Sequence, residues 1–309
     1  MTKVFIDGSA GTTGLRIYER LSNRKDIELL ILSEALRKDT EARREALNSA
    51  DIAFLCLPDA AAIEAVSLVE NPKTAIIDTS TAHRTNPDWS YGFPELCGGS
   101  NREKIKNSKR IANPGCHASG FVALVEPLVR AGLIKNNEKL SCFSLTGYSG
   151  GGKKMIAEYE SPERNPLLEA PRMYALSQQH KHLKEMSAVC SLDNLPVFCP
   201  IVASFYSGME VTVSLFADQI KGGISDIAEI YSNYYQNGLV RFNANADESG
   251  FMSASAFSGR DDMEITVNGN EDRIILVSRF DNLGKGASGA AIQNMNILLG
   301  ANEAEGLDI

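Results

Sequence analysis

A cysteine that directly follows a Pro-Gly turn is the strongest chemical signal in the sequence. Residues 111–120 read IANPGCHASG, so a turn over Asn113, Pro114 and Gly115 leads into Cys116. The pattern predicts a helix from about His117, whose dipole and unpaired N–H groups stabilise a thiolate at its start. We therefore predict that Cys116 is a nucleophile that attacks an acyl group. The alternative, a buried structural thiol, describes three other cysteines better: Cys56, Cys142 and Cys199.

A thiolate nucleophile needs a proton donor or acceptor, and histidine is the usual one. The chain has four histidines, namely His83, His117, His180 and His182. His117 adjoins Cys116, and on a helix its side chain points elsewhere. His180 and His182 lie in QQHKHLKEM (residues 178–186), and they share a face only if that segment is a strand. We expect one of the two to reach Cys116. A zinc pair is the alternative, but no further ligands cluster nearby, so we predict no metal site.

Three glycines in GSAGTTG (residues 8–14) separate a predicted strand, Lys3–Asp7, from a predicted helix over 15–21. Glycines at this turn let the backbone approach a pyrophosphate, and the helix N-terminus attracts its charge. The spacing is G-x-x-G-x-x-G rather than the usual G-x-G-x-x-G, and a simple tight turn is the alternative. The position in the first strand–helix unit favours a dinucleotide. We predict cofactor contacts from this turn at Gly8, Ser9, Gly11, Thr12, Thr13 and Gly14.

The end of the second predicted strand bears on the choice between NAD and NADP. An NAD site usually has an acidic residue there for the ribose 2′-OH. Here the chain offers Ser33, with Arg37 and Lys38 as cationic partners for a 2′-phosphate, although Glu34 opposes this if it points inward. Arg37 and Lys38 also fit as solvated helix charges. We predict NADP(H) as the cofactor, with Ser33 and Arg37 in contact with it.

Strands and helices alternate in the first third of the chain. Strands are predicted at 26–33, 51–58 and 73–80, with helices at 37–50 and 60–70. This alternation predicts an α/β fold whose Rossmann-type parallel sheet forms a nucleotide domain.

The pattern changes after about residue 116. A helix over 117–132 precedes long alternating stretches over 198–217, which suggest antiparallel strands, and a hairpin over 265–280 with an Asn-Gly turn. A small-residue helix over 284–300 closes the chain. We therefore predict a second, α+β catalytic and dimerisation domain with a mainly antiparallel sheet. The predicted bounds are 1–116, joined by 285–309, for the nucleotide domain and 117–284 for the second.

Composition limits the possible partners. The 309 residues include 31 Lys and Arg against 39 Asp and Glu, a net charge of −8, which argues against a nucleic-acid binder. An anionic small substrate remains compatible, because a pocket needs only a few local cations. No apolar run reaches the ~18 residues of a membrane span. No signal peptide and no Cys-x-x-Cys pair is evident, so we expect reduced thiols and a cytoplasmic protein.

Eight ordered motifs, spread over essentially the whole chain, resemble those of the N-acetyl-gamma-glutamyl-phosphate reductase family in its shorter, type 2 form. This family shares its architecture with aspartate-semialdehyde and glyceraldehyde-3-phosphate dehydrogenases. The motifs are GSAGTTG (8–14), DTSTAHR (78–84), YGFPEL (91–96), NPGCHASG (113–120), GYSGGGKK (147–154), QQHKHLKEM (178–186), FYSGM (205–209) and NLGKGASGAAIQNMN (282–296).

The resemblance implies NADPH-dependent reduction of N-acetyl-L-glutamyl 5-phosphate to the 5-semialdehyde, with release of phosphate, in arginine biosynthesis. It implies that Cys116 forms a thioester and that His180 is the acid/base group. The family often has a Pro-Glu pair after its H-x-H, whereas Leu183-Lys184-Glu185 stands here, so the choice between His180 and His182 stays open.

The resemblance also implies binding roles for residues outside the Cys-His pair. Arg84 would bind substrate anions, and we expect the other substrate contacts at Asn113, Lys153 and His182. Further cofactor contacts are expected at Ser149, Gly150 and Lys285. We expect a homo-oligomer, a dimer or a tetramer.

Three other functions fit parts of the sequence. The first is a related acyl-phosphate or semialdehyde dehydrogenase with another substrate, such as aspartate semialdehyde. The second is a non-catalytic dinucleotide-binding regulator, which would have no use for a thiol at a helix start. The third is a cysteine hydrolase, which would not need the glycine turn.

Overall fold

The computed structural model describes all residues from 1 to 309, and the chain folds into two compact units. The first unit is built from residues 1–93, 102–115 and 287–307. The second unit is built from residues 94–101, 116–286 and 308–309. The sequence pattern did not indicate that residues 94–101 belong with the second unit. None of the helices is both long and apolar enough to cross a membrane.

The first unit alternates strands and helices. In chain order its elements up to residue 112 are β1 (Thr2–Asp7), α1 (Thr12–Leu21), β2 (Ile27–Leu30), α2 (Thr40–Ser49), β3 (Ile52–Leu55), α3 (Asp59–Ser67), β4 (Ala75–Asp78), β5 (Ser90–Tyr91), α4 (Asn101–Lys106) and β6 (Arg110–Ala112). The six strands form one sheet in the order β2-β1-β3-β4-β6-β5, and every neighbouring pair is parallel. The predicted parallel, Rossmann-type sheet is confirmed.

Some element bounds differ from the prediction. β2 ends at Leu30, and α2 begins only at Thr40 because the Asp39 side chain accepts a hydrogen bond from the Ala42 N–H and caps the helix there. Arg37 and Lys38 therefore lie in the turn before α2, and their interpretation as helix charges is wrong. α1, which follows the neighbouring strand β1, begins at Thr12, inside the glycine turn.

The parallel sheet is covered on both faces, which is why β3 and β4 are buried at every residue. One face packs against α1 and the last helix of the chain, and its core includes Val4 and Phe54. The other face packs against α2 and α3 around Phe5 and Leu55. Side chains of adjacent residues point to opposite faces of a strand, so Val4 and Phe5 serve different cores.

The second unit combines helices with a seven-stranded sheet. In chain order its elements are α5 (Cys116–Arg130), β7 (Ser141–Gly147), α6 (Gly152–Glu160), β8 (Arg172–Met173), α7 (His182–Val189), β9 (Val197–Ala203), β10 (Met209–Phe216), α8 (Ile224–Tyr234), β11 (Val240–Phe242), β12 (Met263–Gly269) and β13 (Arg273–Phe280). The strand order is β11-β12-β13-β10-β7-β9-β8. A π-helical turn over Gly284–Ser288 then leads into α9 (Gly289–Leu299), which belongs to the first unit.

The sheet of the second unit is mainly antiparallel, as predicted, but not throughout. β9 pairs with β7 in parallel, and β11 pairs with β12 in parallel. The prediction of antiparallel strands over 198–217 is confirmed for β10 on both sides, but for β9 only on the side of β8. The alternation of polar and apolar residues indicates a strand with one buried and one more exposed face. It does not determine whether the neighbouring strands run parallel or antiparallel to it.

The predicted hairpin over 265–280 is confirmed, since β12 and β13 pair antiparallel with Gly269 opposite Ile274. The predicted Asn-Gly turn is wrong, because Asn268 and Gly269 still belong to β12. The turn lies one step later, where the Asn270 side chain accepts hydrogen bonds from the N–H groups of Asp272 and Arg273.

Candidate active site

Cys116 is the first residue of α5 and is partly exposed. α5 packs against β10 and β13, and it lies close to the sheet because Gly120 has no side chain: a Cβ there would lie 2.4 Å from the Val211 side chain. Gly286 makes a second close approach, since a Cβ on it would lie 3.0 Å from the Cβ of Cys116. The helix start and the segment around Gly286 therefore fix the position of the thiol.

Lys285 lies next to this contact and is fully buried. Its Nζ donates hydrogen bonds to both carboxylate oxygens of Glu95, at 2.8 and 2.9 Å. Glu95 also accepts a hydrogen bond from the Leu239 N–H at 3.0 Å. The structure thus places Lys285 in a buried ion pair of the second unit, and its predicted contact with the cofactor stays a prediction.

Three histidines cluster near the start of α5. The His117 ring centroid lies 5.8 Å from that of His180 and 5.5 Å from that of His182, and the latter two are 4.7 Å apart. His117 itself is buried, with Nδ1 2.6 Å from the Ser144 hydroxyl and Nε2 2.7 Å from the Tyr174 hydroxyl. The expectation that the His117 side chain points away from Cys116 stays a prediction, and the structure adds that its ring joins those of the other two histidines.

His180 lies in the turn before α7, and His182 is the first residue of that helix. The His182 backbone N–H donates to Nδ1 of His180 at 3.2 Å, so a neutral His180 carries its proton on Nε2. Burial, reinforced by the charge of Lys181, lowers the pKa of His180 to about 4. At neutral pH this side chain therefore presents an uncharged Nε2–H donor.

The turn that leads into Cys116 is held by buried polar contacts of the first unit. The Asn113 side chain donates to the Ala287 carbonyl at 2.9 Å and accepts from Asn294 at 3.2 Å. Arg84 donates from Nε to the Asn113 carbonyl and from Nη2 to the Thr79 carbonyl, both at 2.9 Å. Asn113 and Arg84 were both predicted as substrate contacts, and the structure shows that they are hydrogen-bonded to each other.

The loop that carries Arg84 is braced from its other side. Nδ1 of His83 lies 2.6 Å from a carboxylate oxygen of Asp78, at the end of β4, and the ring stacks on Trp89 at 4.0 Å. Ser80 donates to the same carboxylate at 2.7 Å. His83 therefore helps to hold the loop that carries Arg84 in place.

The predicted glycine-rich loop after β7 is helical rather than irregular. A 3-10 turn over Tyr148–Gly151 runs directly into α6. Ser149 is buried, and its hydroxyl accepts a hydrogen bond from the Asn282 side chain at 3.0 Å. Gly150 and Lys153 are exposed. Their predicted cofactor and substrate contacts stay predictions.

A cavity of about 570 Å³ opens beside the glycine turn in the first unit. Gly8, Ser9 and Gly11 line it, together with apolar side chains such as Leu29 and Leu57. Gly8 has φ +88° and a Cβ there would lie 2.3 Å from the Cys56 carbonyl oxygen, so only glycine fits. Gly11 precedes α1 without a side-chain cap, which leaves the N–H groups of the first helical turn for an anion.

These residues fit a dinucleotide: the uncapped helix start suits a pyrophosphate, and the apolar wall suits an adenine ring. The predicted contacts Thr12, Thr13 and Gly14 form the first turn of α1 but are not among the residues that line the cavity. Gly14 instead permits close packing, since a Cβ there would lie 2.5 Å from the Gly8 carbonyl oxygen.

Cations border the same cavity. Arg37 and Lys38 line it, whereas Ser33 does not. Glu34 is also absent from the lining, and its largely exposed carboxylate pairs with Arg37 at 2.9 Å. The cavity therefore has no acidic side chain from the segment after β2.

Two further lining residues, Asp7 and Arg43, were not selected from the sequence. Arg43 reaches from α2 to Asp7 at the end of β1, with Nε 3.0 Å from its carboxylate. Burial raises the pKa of Asp7, although Arg43 opposes the shift. No local pattern in the sequence indicates this pairing, because Asp7 and Arg43 are 36 positions apart.

No disulfide joins any of the six cysteines. Burial raises the pKa of Cys56 to about 12 and also raises those of Cys142 and Cys190. These three thiols are therefore unreactive at neutral pH. No three His, Cys, Asp or Glu side chains are grouped so as to hold a metal ion.

Similarity to known proteins identifies the family to which the chain belongs. Residues 32–108 match the model "Semialdehyde dehydrogenase, NAD binding domain" and residues 116–282 match "Semialdehyde dehydrogenase, dimerisation domain". The N-acetyl-gamma-glutamyl-phosphate reductase of Trichormus variabilis is 44% identical, with 99% of each chain covered. The protein of that name from Brucella ovis is also 44% identical, over 96% of this chain and 99% of its own. The chain belongs to the N-acetyl-gamma-glutamyl-phosphate reductase family.

This membership confirms the resemblance drawn from the motifs, and it makes the chain an oxidoreductase with an NAD(P)-binding domain. Solved structures share the fold of this reductase-family chain at lower identity. Aspartate semialdehyde dehydrogenase II of Vibrio cholerae, complexed with ASA, has a TM-score of 0.73 at 16% identity and covers 97% of this chain and 98% of its own. The Candida albicans aspartate semialdehyde dehydrogenase with NADP has a TM-score of 0.65 at 16% identity, with the same coverage.

Proposed function

We propose that this protein reduces N-acetyl-L-glutamyl 5-phosphate to N-acetyl-L-glutamate 5-semialdehyde with NADPH and releases phosphate, a step of arginine biosynthesis. The observation that carries the proposal is the position of Cys116 as the first residue of α5, directly after a turn held by Arg84 and Asn113. We infer the identity of the substrate from relatives named for this reaction, which match this chain over nearly their whole length.

The first chemical step belongs to Cys116. Its thiolate attacks the acyl carbon, the bond from that carbon to the phosphate oxygen breaks, and phosphate leaves with the electron pair. The product is a thioester, whose carbonyl accepts hydride more readily than a carboxylate does. The helix start supports the step because its dipole and N–H groups stabilise negative charge at the sulfur.

NADPH, when bound, supplies the hydride that turns the thioester into the aldehyde and returns Cys116 as a thiolate. We infer NADPH rather than NADH from the lining of the first-unit cavity. Arg37 and Lys38 offer positive charge to a 2′-phosphate, and no acidic side chain after β2 lines the cavity to bind a 2′-OH. Glu34 would oppose NADPH binding if its carboxylate pointed into the cavity, but this carboxylate is largely exposed and pairs with Arg37.

His180 is the group to which we assign proton transfer and polarisation of the acyl oxygen. Its Nδ1 accepts the His182 N–H, so the donor is Nε2–H. A neutral imidazole can donate this hydrogen bond to developing oxyanion charge without adding a like charge beside Lys181. His182, buried and two residues further along the chain, is assigned to substrate binding.

Arg84 is assigned to the anionic groups of the substrate. Its guanidinium is buried and anchored by two backbone carbonyls, so it is held in one orientation. A preordered guanidinium binds a carboxylate or phosphate with less loss of entropy than a mobile side chain. Asn113 contributes by fixing the turn before Cys116.

We further propose that the protein forms a dimer through the sheet of the second unit. Large apolar side chains project from the sheet face opposite α5 and remain exposed: Phe143, Met173, Val197, Phe216 and Ile275. An apolar patch of this kind marks an interaction surface. The match of this unit to a dimerisation domain supports a second copy as the partner.

The dimer is tested by two substitutions. Ile275→Glu should yield monomers in sedimentation equilibrium, whereas Leu36→Glu, at an exposed apolar position of the first unit, should not.

The substrate is tested in the reverse direction. Recombinant protein is assayed for phosphate-dependent reduction of NADP⁺ with N-acetylglutamate 5-semialdehyde and, separately, with aspartate semialdehyde. We expect turnover of the first substrate only, and none with Cys116→Ala, which should still bind NADPH. Turnover of aspartate semialdehyde alone would assign the protein to that related activity.

A further inference from the structure

Three side chains of the second unit form a continuous hydrogen-bonded chain that the acyl-transfer step does not use. The Ser144 hydroxyl lies 2.6 Å from Nδ1 of His117, and the Tyr174 hydroxyl lies 2.7 Å from Nε2 of the same ring. Ser144 lies on β7, His117 is the second residue of α5, and Tyr174 follows β8. Three separate elements thus converge on the residue after Cys116.

The imidazole in the middle of this chain is neutral. Burial, reinforced by the neighbouring His180, lowers the pKa of His117 to about 3. A neutral imidazole donates from one ring nitrogen and accepts at the other. The two hydroxyls are therefore coupled: if Ser144 donates to Nδ1, then Nε2 donates to the Tyr174 oxygen and the phenolic hydrogen points away from the ring.

Tyr174 lies at the helix start that carries Cys116, because its hydroxyl is 2.7 Å from Nε2 of His117, the next residue along the chain. Burial first, and then the negative charge of a Cys116 thiolate, raise the pKa of the Tyr174 hydroxyl above its ordinary value. The phenol is therefore a neutral donor at the pH of the reaction. Its ring also lies 5.9 Å from the ring of His180, so Tyr174 lies near the proposed acid/base group as well as near the residue that follows Cys116.

We propose that Tyr174 is a further catalytic residue, whose hydroxyl donates a hydrogen bond to the reacting centre at Cys116, and that His117 and Ser144 are positioning residues that orient this hydroxyl. The proposal deepens the proposed function and rests on it, because the charge to be stabilised is that of the Cys116 thiolate before acyl transfer. A hydrogen bond to a charged acceptor is roughly twice as strong as one between neutral groups.

Tyr174→Phe removes the hydroxyl and keeps the ring. Alkylation of Cys116 by iodoacetamide, followed by mass spectrometry of its peptide across pH, measures the thiolate directly and without substrate. We expect the midpoint of this pH profile to rise by about one pH unit and kcat/KM to fall about tenfold, the effect of losing one hydrogen bond to a charged group. Cys97, partly exposed and in contact with Arg130, is the internal control and should keep its profile.

Two substitutions at His117 separate positioning from simple packing. His117→Gln can place an amide N–H where Nε2 lies and keep the donor to Tyr174, whereas His117→Asn can replace only Nδ1. We expect His117→Asn to shift the Cys116 profile as Tyr174→Phe does, and His117→Gln to restore most of it. The double variant Tyr174→Phe/His117→Asn should be no worse than either single variant, because both act through one hydroxyl.

The outcomes distinguish this proposal from the proposed function. An unchanged Cys116 profile in Tyr174→Phe overturns the role of Tyr174, whatever the substrate proves to be. A shift in Tyr174→Phe but none in His117→Asn, or full additivity in the double variant, overturns the role of His117. If His117→Asn does not fold, judged by NADPH binding and circular dichroism, Ser144→Ala replaces it and should shift the profile in the same direction.

Discussion

The ammonium group of Lys285 and the carboxylate of Glu95 form a fully buried ion pair, joined by two hydrogen bonds of 2.8 and 2.9 Å across 190 residues of sequence. The pair anchors the segment whose next residue, Gly286, packs against Cys116. Its position explains why residues 94–101 belong to the second unit despite following strands of the first.

Glu95→Gln should destabilise the protein strongly, because it leaves the Lys285 charge buried without a counterion. The expected loss is about 3–5 kcal/mol in the free energy of unfolding, measured by urea denaturation with circular dichroism. Glu169→Gln is the matched control, since Glu169 forms an exposed pair with Arg164 and should cost no more than about 1 kcal/mol. Equal, small losses in both variants would show that the Lys285 pair contributes little.

Substitution of the two α7 histidines should have unequal effects. His180→Asn should lower kcat by ~10²–10⁴-fold, because it removes the proposed acid/base group. His182→Asn should act mainly on KM for the acyl phosphate. Steady-state kinetics at saturating NADPH measure both parameters. If His182→Asn gives the larger loss in kcat, the acid/base role belongs to His182.

Arg37→Gln should weaken NADPH binding without affecting NADH. Loss of one contact to a 2′-phosphate from this partly exposed side chain corresponds to about a tenfold rise in KM for NADPH. Arg44→Gln is the matched control, because Arg44 lies outside the cavity and pairs with Glu70. A parallel rise in KM for NADPH and NADH would place the Arg37 contact elsewhere on the cofactor.

Stability should fall in acid because of His117. Its folded-state pKa of about 3 lies below the ordinary 6.5, so the unfolded chain takes up a proton between these values that the folded chain does not. The contribution of His117 to the free energy of unfolding is complete above pH 6.5 and is lost as the pH falls toward 3. Between pH 7 and pH 4.5, wild type should lose about 2 kcal/mol more than His117→Gln, measured by urea denaturation. Equal losses would mean that His117 is protonated in the folded state.

Local sequence patterns predicted the features that depend on local structure. The strand–helix alternation, the glycine turn and the start of a helix at Cys116 all follow from short-range spacing. The missed features are long-range: the parallel pairing of β9 with β7, the approach of Arg43 to Asp7, and the bond of Tyr174 to His117, 57 residues apart. Tyrosine before a histidine pair has no distinguishing pattern of its own, and only the fold shows which ring it meets.

Whether Cys116 carries the acyl group can be determined by trapping that group on the protein. The protein is mixed with N-acetylglutamyl 5-phosphate in the absence of NADPH, and its peptides are examined by mass spectrometry. We expect one N-acetylglutamyl group per chain, attached at Cys116 and discharged as the 5-semialdehyde when NADPH is added. An adduct on another residue, or turnover by wild type with no adduct and undiminished turnover by Cys116→Ala, would contradict it.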